Sequence, residues 1–186
     1  MDKIEEILKT ALKLFVEFGF QATPTSKIAK EAGVANGTLF HYFKTKEELI
    51  VALYTHTNSR ITEHIIDNVI KDESLELEFK SIYTNTIEWN QENKTEFYFI
   101  RQFSASPFYR LISSEEITKQ AKPHLNFLQQ GIKAAVLKPL PVELLYTLIN
   151  SHIAGINQYL SSEDFSTTKQ KKIINESFQL LWDMIT

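Results

Sequence analysis

The side chains best suited to chemistry lie close together, between Thr25 and Lys46. Thr25, Ser26, Asn36, Thr38, His41, Tyr42 and Lys46 supply hydroxyls, an amide, an imidazole and an ammonium within a short stretch. Such a set suits an oxygen-rich surface. Hydroxyls and ammonium groups meet phosphate oxygens, and Asn binds the adenine edge through two hydrogen bonds. Nothing in the chain suggests bond-making chemistry. There is no Gly-rich phosphate loop, no paired-carboxylate motif and no nucleophile motif, so an enzyme is not expected.

These residues need elements to hold them, and the apolar positions between them define those elements. Ile28, Val34 and Leu39 are placed to face a core, Ala29 is small where two helices would approach, and Gly33 stands where a left-handed backbone is wanted. The pattern predicts two short helices over a tight turn, the second running about 36–43: either a helix-turn-helix whose second helix lies in a DNA major groove, or an ordinary αα-corner of a helical domain. Thr25 and Ser26 then sit at the start of the preceding helix, where hydroxyls and backbone N–H groups meet a phosphate. Either Thr23 caps that helix with Pro24 at its first position, or Thr25 caps it. Gly37 lets a backbone approach closely or serves conformation. Leu39 and Phe43 are assigned to the core.

An amphipathic first helix, with Ile4, Ile7, Leu8, Ala11, Leu12 and Phe15 at helical spacing, precedes the motif and ends at Gly19. Thr45 to Glu48 reads as a capping box opening a fourth helix that reaches about residue 70, with a break at Lys71–Ser74. Helices are expected at about 75–91, 94–112, 115–137, 141–161 and 166–185, with Pro107 and Pro123 kinking or breaking theirs. The fold class is all-α with about nine helices: a three-helix DNA-binding domain over 1–46 and a larger helical domain over 47–186 for ligand binding and dimerisation.

The string from Gly33 to Leu49, with Leu14-Phe15 and Phe18-Gly19-Phe20 before it, resembles the DNA-binding domain of TetR/AcrR-type bacterial repressors. The resemblance spans about residues 4–55. It implies that Thr25, Ser26, Asn36, Gly37, Thr38, Phe40, His41, Tyr42 and Lys46 form the DNA face, with Lys46 on a phosphate. Two positions depart from the family pattern. Phe40 stands where many relatives carry Tyr, which leaves it only apolar contact such as a thymine methyl. Ser26 is short where some relatives carry a long base-reading side chain. The resemblance also implies that the last two helices form a dimer interface, and apolar residues nearly all round them suit that, with Phe178 and Trp182 as interface positions.

Composition agrees with a folded, cysteine-free protein. Of its 186 residues 43% are hydrophobic, and the net charge is −3. The first 50 residues balance seven Lys against seven Asp and Glu, which argues against non-specific coating of DNA but not against a reader with a few placed donors. No uninterrupted apolar run suggests a leader or a membrane span, so a cytoplasmic protein is expected. The five His do not cluster, and neither metal nor cofactor is expected.

Nine aromatics crowd residues 79–109, which serves helix packing or a pocket for a small, mainly apolar effector. Tyr83, Trp89, Phe99, Phe103, Phe127 and Asn150 are the candidate ligand contacts. The expected function is a ligand-responsive regulator, most simply a repressor that binds a palindromic operator as a homodimer. A DNA-binding regulator controlled by a protein partner, or acting as an activator, is the alternative.

Overall fold

The computed structural model describes residues 2–71 and 74–186; of the break expected at Lys71–Ser74, Asp72 and Glu73 lie outside the described residues. The described residues are all-helical: α1 (Lys3–Phe18), α2 (Thr25–Glu31), α3 (Asn36–Tyr42), α4 (Lys46–Asn68), α5 (Leu75–Glu92), α6 (Lys94–Ser104), a 3-10 turn (Pro107–Leu111), α7 (Ser114–Lys133), α8 (Val142–Leu160) and α9 (Thr167–Ile185). They form two compact units, one of Met1–Arg60 with Asn93–Ser114 and the other of Ile61–Glu92 with Glu115–Thr186.

In the first unit α1 starts on Asp2, whose carboxylate accepts the Ile4 N–H at 3.0 Å. It buries Ile7, Leu8, Ala11, Leu14 and Phe15, a stripe at helical spacing. α1 packs against α2 and α6, and α2 packs against α3. α6 belongs to this unit because its own apolar face, Phe97, Phe99 and Phe103, is buried there. Phe20 sits between the rings of Phe15, Phe99 and Phe108, at 5.3, 6.0 and 5.3 Å. Tyr54 of α4 stacks on Phe103 at 4.2 Å, and Arg60 pairs with Glu96 at 3.1 Å.

The helix expected at 94–112 ends early, at Ser104. Pro107 lacks an N–H to continue it. Ser106 instead donates to the Phe103 carbonyl at 2.7 Å and accepts the Phe108 N–H at 3.2 Å, opening the 3-10 turn. Pro123, by contrast, lies inside α7, which runs on past it.

In the second unit α5 packs on α8 and α9, which also pack on each other. Their shared core includes Phe79, Tyr83, Leu145, Ile149, Phe178 and Leu181. α4 ends at Asn68, slightly before residue 70. The Asn68 amide turns back onto the His64 carbonyl at 2.8 Å, and Asn85 donates to the Asn68 carbonyl at 2.8 Å. Gly131 of α7 lies close under two leucines: a Cβ there would meet the Leu137 and Leu75 side chains at 2.7–2.8 Å, and they would have to shift. The C-terminal end of α9 is held by Lys138. Its Nζ donates to the Met184 carbonyl at 2.7 Å and its backbone N–H to Ile185 at 2.8 Å.

One expectation is overturned here. Phe178 and Trp182 are 1% and 8% exposed, buried by their own chain and not displayed for a partner. Phe178 stacks on Trp182, and both rings lie within about 6 Å of Phe79. An apolar residue on a helix of uncertain rotation reads the same whether it faces core or partner. The displayed apolar residues of these helices are Leu144 and Tyr159 on α8 and Leu180 and Met184 on α9.

Candidate nucleic-acid interface

The turn between α2 and α3 is a Schellman motif. The Val34 N–H donates to the Ala29 carbonyl at 2.9 Å and the Gly33 N–H to Lys30 at 3.2 Å, with Gly33 at φ +67°. Ala29 and Ile28 are buried beneath it, and Leu39 is fully buried on α3. Val34 is only half-buried, less than its core assignment implied.

Neither Thr caps α2 in the expected way. Pro24 occupies the cap position and no side chain bonds the first turn. Thr23 is fully buried; its hydroxyl donates toward the Gly19 carbonyl at 2.8 Å and the Leu14 carbonyl at 3.2 Å, tying the loop to the end of α1. The Lys27 and Ile28 N–H groups donate to the Pro24 carbonyl at 3.0 and 3.3 Å, and at the open start of the turn Thr25 is half-buried and Ser26 exposed.

With Leu39 and Phe43 inward, α3 turns Asn36, Gly37, Phe40, His41 and Tyr42 to the outside, with Thr38 half-buried between. Phe40 is 41% and Tyr42 38% exposed. Gly37 has no left-handed backbone, and a Cβ there would meet nothing within 4 Å. Neither conformation nor packing inside the chain calls for glycine at this position.

The start of α4 completes the face. Thr45 accepts the Glu48 N–H at 3.1 Å, as an N-cap should. Lys46 is half-buried, and burial lowers its pKa from the ordinary lysine value while Glu47 raises it.

This geometry agrees with two family matches that together run along nearly all of the chain. The model described as "Bacterial regulatory proteins, tetR family" matches residues 7–53, and "Tetracyclin repressor-like, C-terminal domain" matches residues 54–186. The chain belongs to the tetR family. It is thus a DNA-binding transcriptional regulator, and α2–α3 are its helix-turn-helix.

Among similar proteins, the HTH-type transcriptional regulator YhgD of Bacillus subtilis is 28% identical over 171 residues, 84% of this chain and 83% of its own. A tetR family transcription regulator from Shewanella sp. PV-4 superposes with a TM-score of 0.92 at 27% identity, over 100% of this chain and 98% of that one. The regulator FadR of Bacillus subtilis, solved with stearoyl-CoA, shares the fold at a TM-score of 0.78 and 20% identity, over 98% of this chain and 99% of that one.

The six ligand candidates of this tetR-family chain are divided between the two units. Phe99 and Phe103 lie fully buried in the first unit, whereas Tyr83, Trp89, Phe127 and Asn150 belong to the second. Within the second unit Phe127 stacks on Phe79 at 6.2 Å beside the core that holds Tyr83. Asn150 is exposed, its amide on the Tyr146 carbonyl at 2.9 Å. A separate cleft of about 530 Å³ is lined by Ser74, Leu75, Glu76, Glu78, Gln130, Ala134, Val136 and Trp182. None of the six is among them. The approach of Leu75 and Leu137 over Gly131, which shapes this end of the unit, joins residues distant in sequence and leaves no local pattern to read.

Among the described residues no group of three or more His, Asp or Glu could hold a metal ion, and no helix is long and apolar enough to cross a membrane.

Proposed function

We propose that the protein is a cytoplasmic repressor that binds a near-palindromic operator as a homodimer and is released by a small, mainly apolar effector. The observation that carries the DNA part is the outward face of α3, where Asn36, Gly37, Phe40, His41 and Tyr42 are displayed over a buried Leu39 and Phe43. With Thr25 and Ser26 on one side and Lys46 on the other, base-reading groups are flanked by phosphate-binding ones. The domain boundary that fits this division of labour falls at 46/47, with α4 leading out of the DNA-binding segment.

Dimerisation is supported by the large apolar side chains left uncovered on α8 and α9: Leu144, Tyr159, Leu180 and Met184 are 43–69% exposed. Two copies of such a protein place two recognition helices on one side of the duplex, so the operator half-sites should be related by a two-fold axis.

The effector reading is supported by the rings packed together in the second unit, with the candidate contact Tyr83 in its core and Phe127 against it, and by the acyl-CoA ligand of FadR. Its coupling to DNA works only through preference: the effector must bind the DNA-incompetent form more tightly than the competent one. Full enclosure of Tyr83, Phe99 and Phe103 by their own chain favours a second reading, control by a protein partner.

The test has two stages. Sequences selected from random DNA by the purified protein should converge on a pseudo-palindrome, and a scattered set would sink the DNA reading. A thermal-shift screen that includes fatty acids and acyl-CoAs should then yield a compound that weakens operator binding about 5- to 150-fold, the range of typical allosteric coupling. Failure of every apolar compound would put the partner-controlled reading ahead.

A further inference from the structure

The turn that carries the chain from α3 into α4 is closed by three hydrogen bonds involving side chains. Lys44 Nζ donates to the His41 carbonyl at 3.3 Å, at the end of the recognition helix. The Glu48 N–H donates to the Thr45 hydroxyl at 3.1 Å. The Lys44 N–H donates to the Glu48 carboxylate at 2.7 Å, a short, charge-assisted bond. This third bond departs from an ordinary capping box, in which the carboxylate returns to the cap residue's own N–H. Here it reaches one residue further back, past Thr45 to Lys44.

The location makes that bond unexpected on electrostatic grounds. Glu48 is exposed, it lies two residues after Lys46, and neither the Arg60–Glu96 nor the Lys172–Glu176 salt bridge involves it. A carboxylate there repels a polyanion, and Glu47 beside it adds to the repulsion. A carboxylate that opposes DNA binding by charge must be favoured by what it holds.

We infer that Glu48 is a positioning residue of the DNA face. Its carboxylate fixes the Lys44 N–H, so that His41, Lys44 and Lys46 present to the duplex as one set turn. Without it, Lys44 and the start of α4 are free to rotate away from the end of α3. This rests on the reading of residues 36–46 as the DNA face.

Two substitutions separate holding from charge. Glu48→Gln keeps an acceptor oxygen for the Lys44 N–H and removes the charge, whereas Glu48→Ala removes both. Fluorescence anisotropy with the selected operator duplex, over a range of salt, should show the glutamine variant binding as tightly as wild type or up to about 3-fold tighter. The alanine variant should bind about 3- to 30-fold more weakly, the scale of a lost cap. Its salt slope should also fall by about one, as one phosphate contact is lost.

Amide exchange at Lys44 gives a readout that does not depend on DNA, and in the wild-type protein it does not depend on a variant folding well. The N–H should be protected in wild type and in Glu48→Gln, and exchange freely in Glu48→Ala. Tightening by both variants would mean that Glu48 acts only by repulsion and would overturn the assignment. So would an unprotected Lys44 N–H in the wild-type protein. Failure of wild-type protein to select any DNA would instead defeat the underlying reading, and the Lys44 exchange would still report on the bond.

Discussion

Tyr83 Oη lies 2.9 Å from Ser177 Oγ, and the neighbours of this pair fix the direction of the bond. Ser177 uses its own proton on the Ile174 carbonyl at 3.0 Å, so Tyr83 donates to Ser177. His152 Nε2 lies 3.1 Å from Tyr83 Oη and 3.0 Å from the Ser177 carbonyl. A carbonyl only accepts, so Nε2 carries the proton and His152 is held as that tautomer. Burial pushes the Tyr83 phenol up to about 12, so it stays protonated and able to donate. One polar chain thus links α5, α8 and α9 through an apolar core, with every member satisfied.

Tyr83→Phe removes that donor and leaves the ring packing in place. The cost should be about 1 kcal/mol, the net worth of a typical hydrogen bond. For a chain of this size it appears as a fall in Tm of about 2–4 °C by calorimetry. An unchanged Tm would mean that the linkage adds nothing to stability.

Stability should fall on mild acidification. Burial lowers the pKa of both His124 and His152, with the bond to the Ser177 carbonyl partly opposing this at His152. The folded chain therefore keeps both rings neutral at pH values where the unfolded chain, titrating near 6.5, already takes up protons. Their contribution is fully present above about pH 6.5, declines as the pH drops from there, and is lost once the pH has passed below the folded-state values. Urea midpoints measured at pH 8 and pH 5.5 should show the lower value at pH 5.5. His124→Gln with His152→Gln should flatten the difference.

Substitutions on α9 should divide by burial. Leu180→Glu changes a residue 69% exposed in the single chain and should yield folded monomers by analytical ultracentrifugation, with operator affinity lost alongside. Phe178→Glu places a charge where the side chain is 1% exposed and should unfold the C-terminal unit outright. Folded dimers of Leu180→Glu would show that the uncovered residues of α9 serve something other than self-association.

Two substitutions on the DNA face should differ in kind. Lys46→Ala should weaken binding to all sequences and reduce the salt slope by about one, because one phosphate contact releases about one counterion. Asn36→Ala should relax base preference at one position in each half-site, at about 1–3 kcal/mol of discrimination. If Lys46→Ala leaves both affinity and slope untouched, the start of α4 does not contact the DNA.

The DNA-binding segment was legible before any coordinates because its rules are local. A Gly at the end of a short helix, small and apolar residues at fixed offsets and a capping Thr act over a few residues. Gly33, Leu39 and Thr45 do what their spacing predicts. Even there, a tertiary contact decided the role of Thr23: the carbonyls of Leu14 and Gly19 recruited its hydroxyl away from capping α2.

The C-terminal half was legible only as helices. Apolar periodicity says that α8 and α9 bury a face, but which residues meet their own chain and which are left uncovered depends on helix rotation and on neighbours distant in sequence. So Phe178 and Trp182 went to the core and Leu180 stayed outside. The same holds for the polar chain of Tyr83, His152 and Ser177. No spacing announces it, because its members come from three helices and meet only when those helices pack.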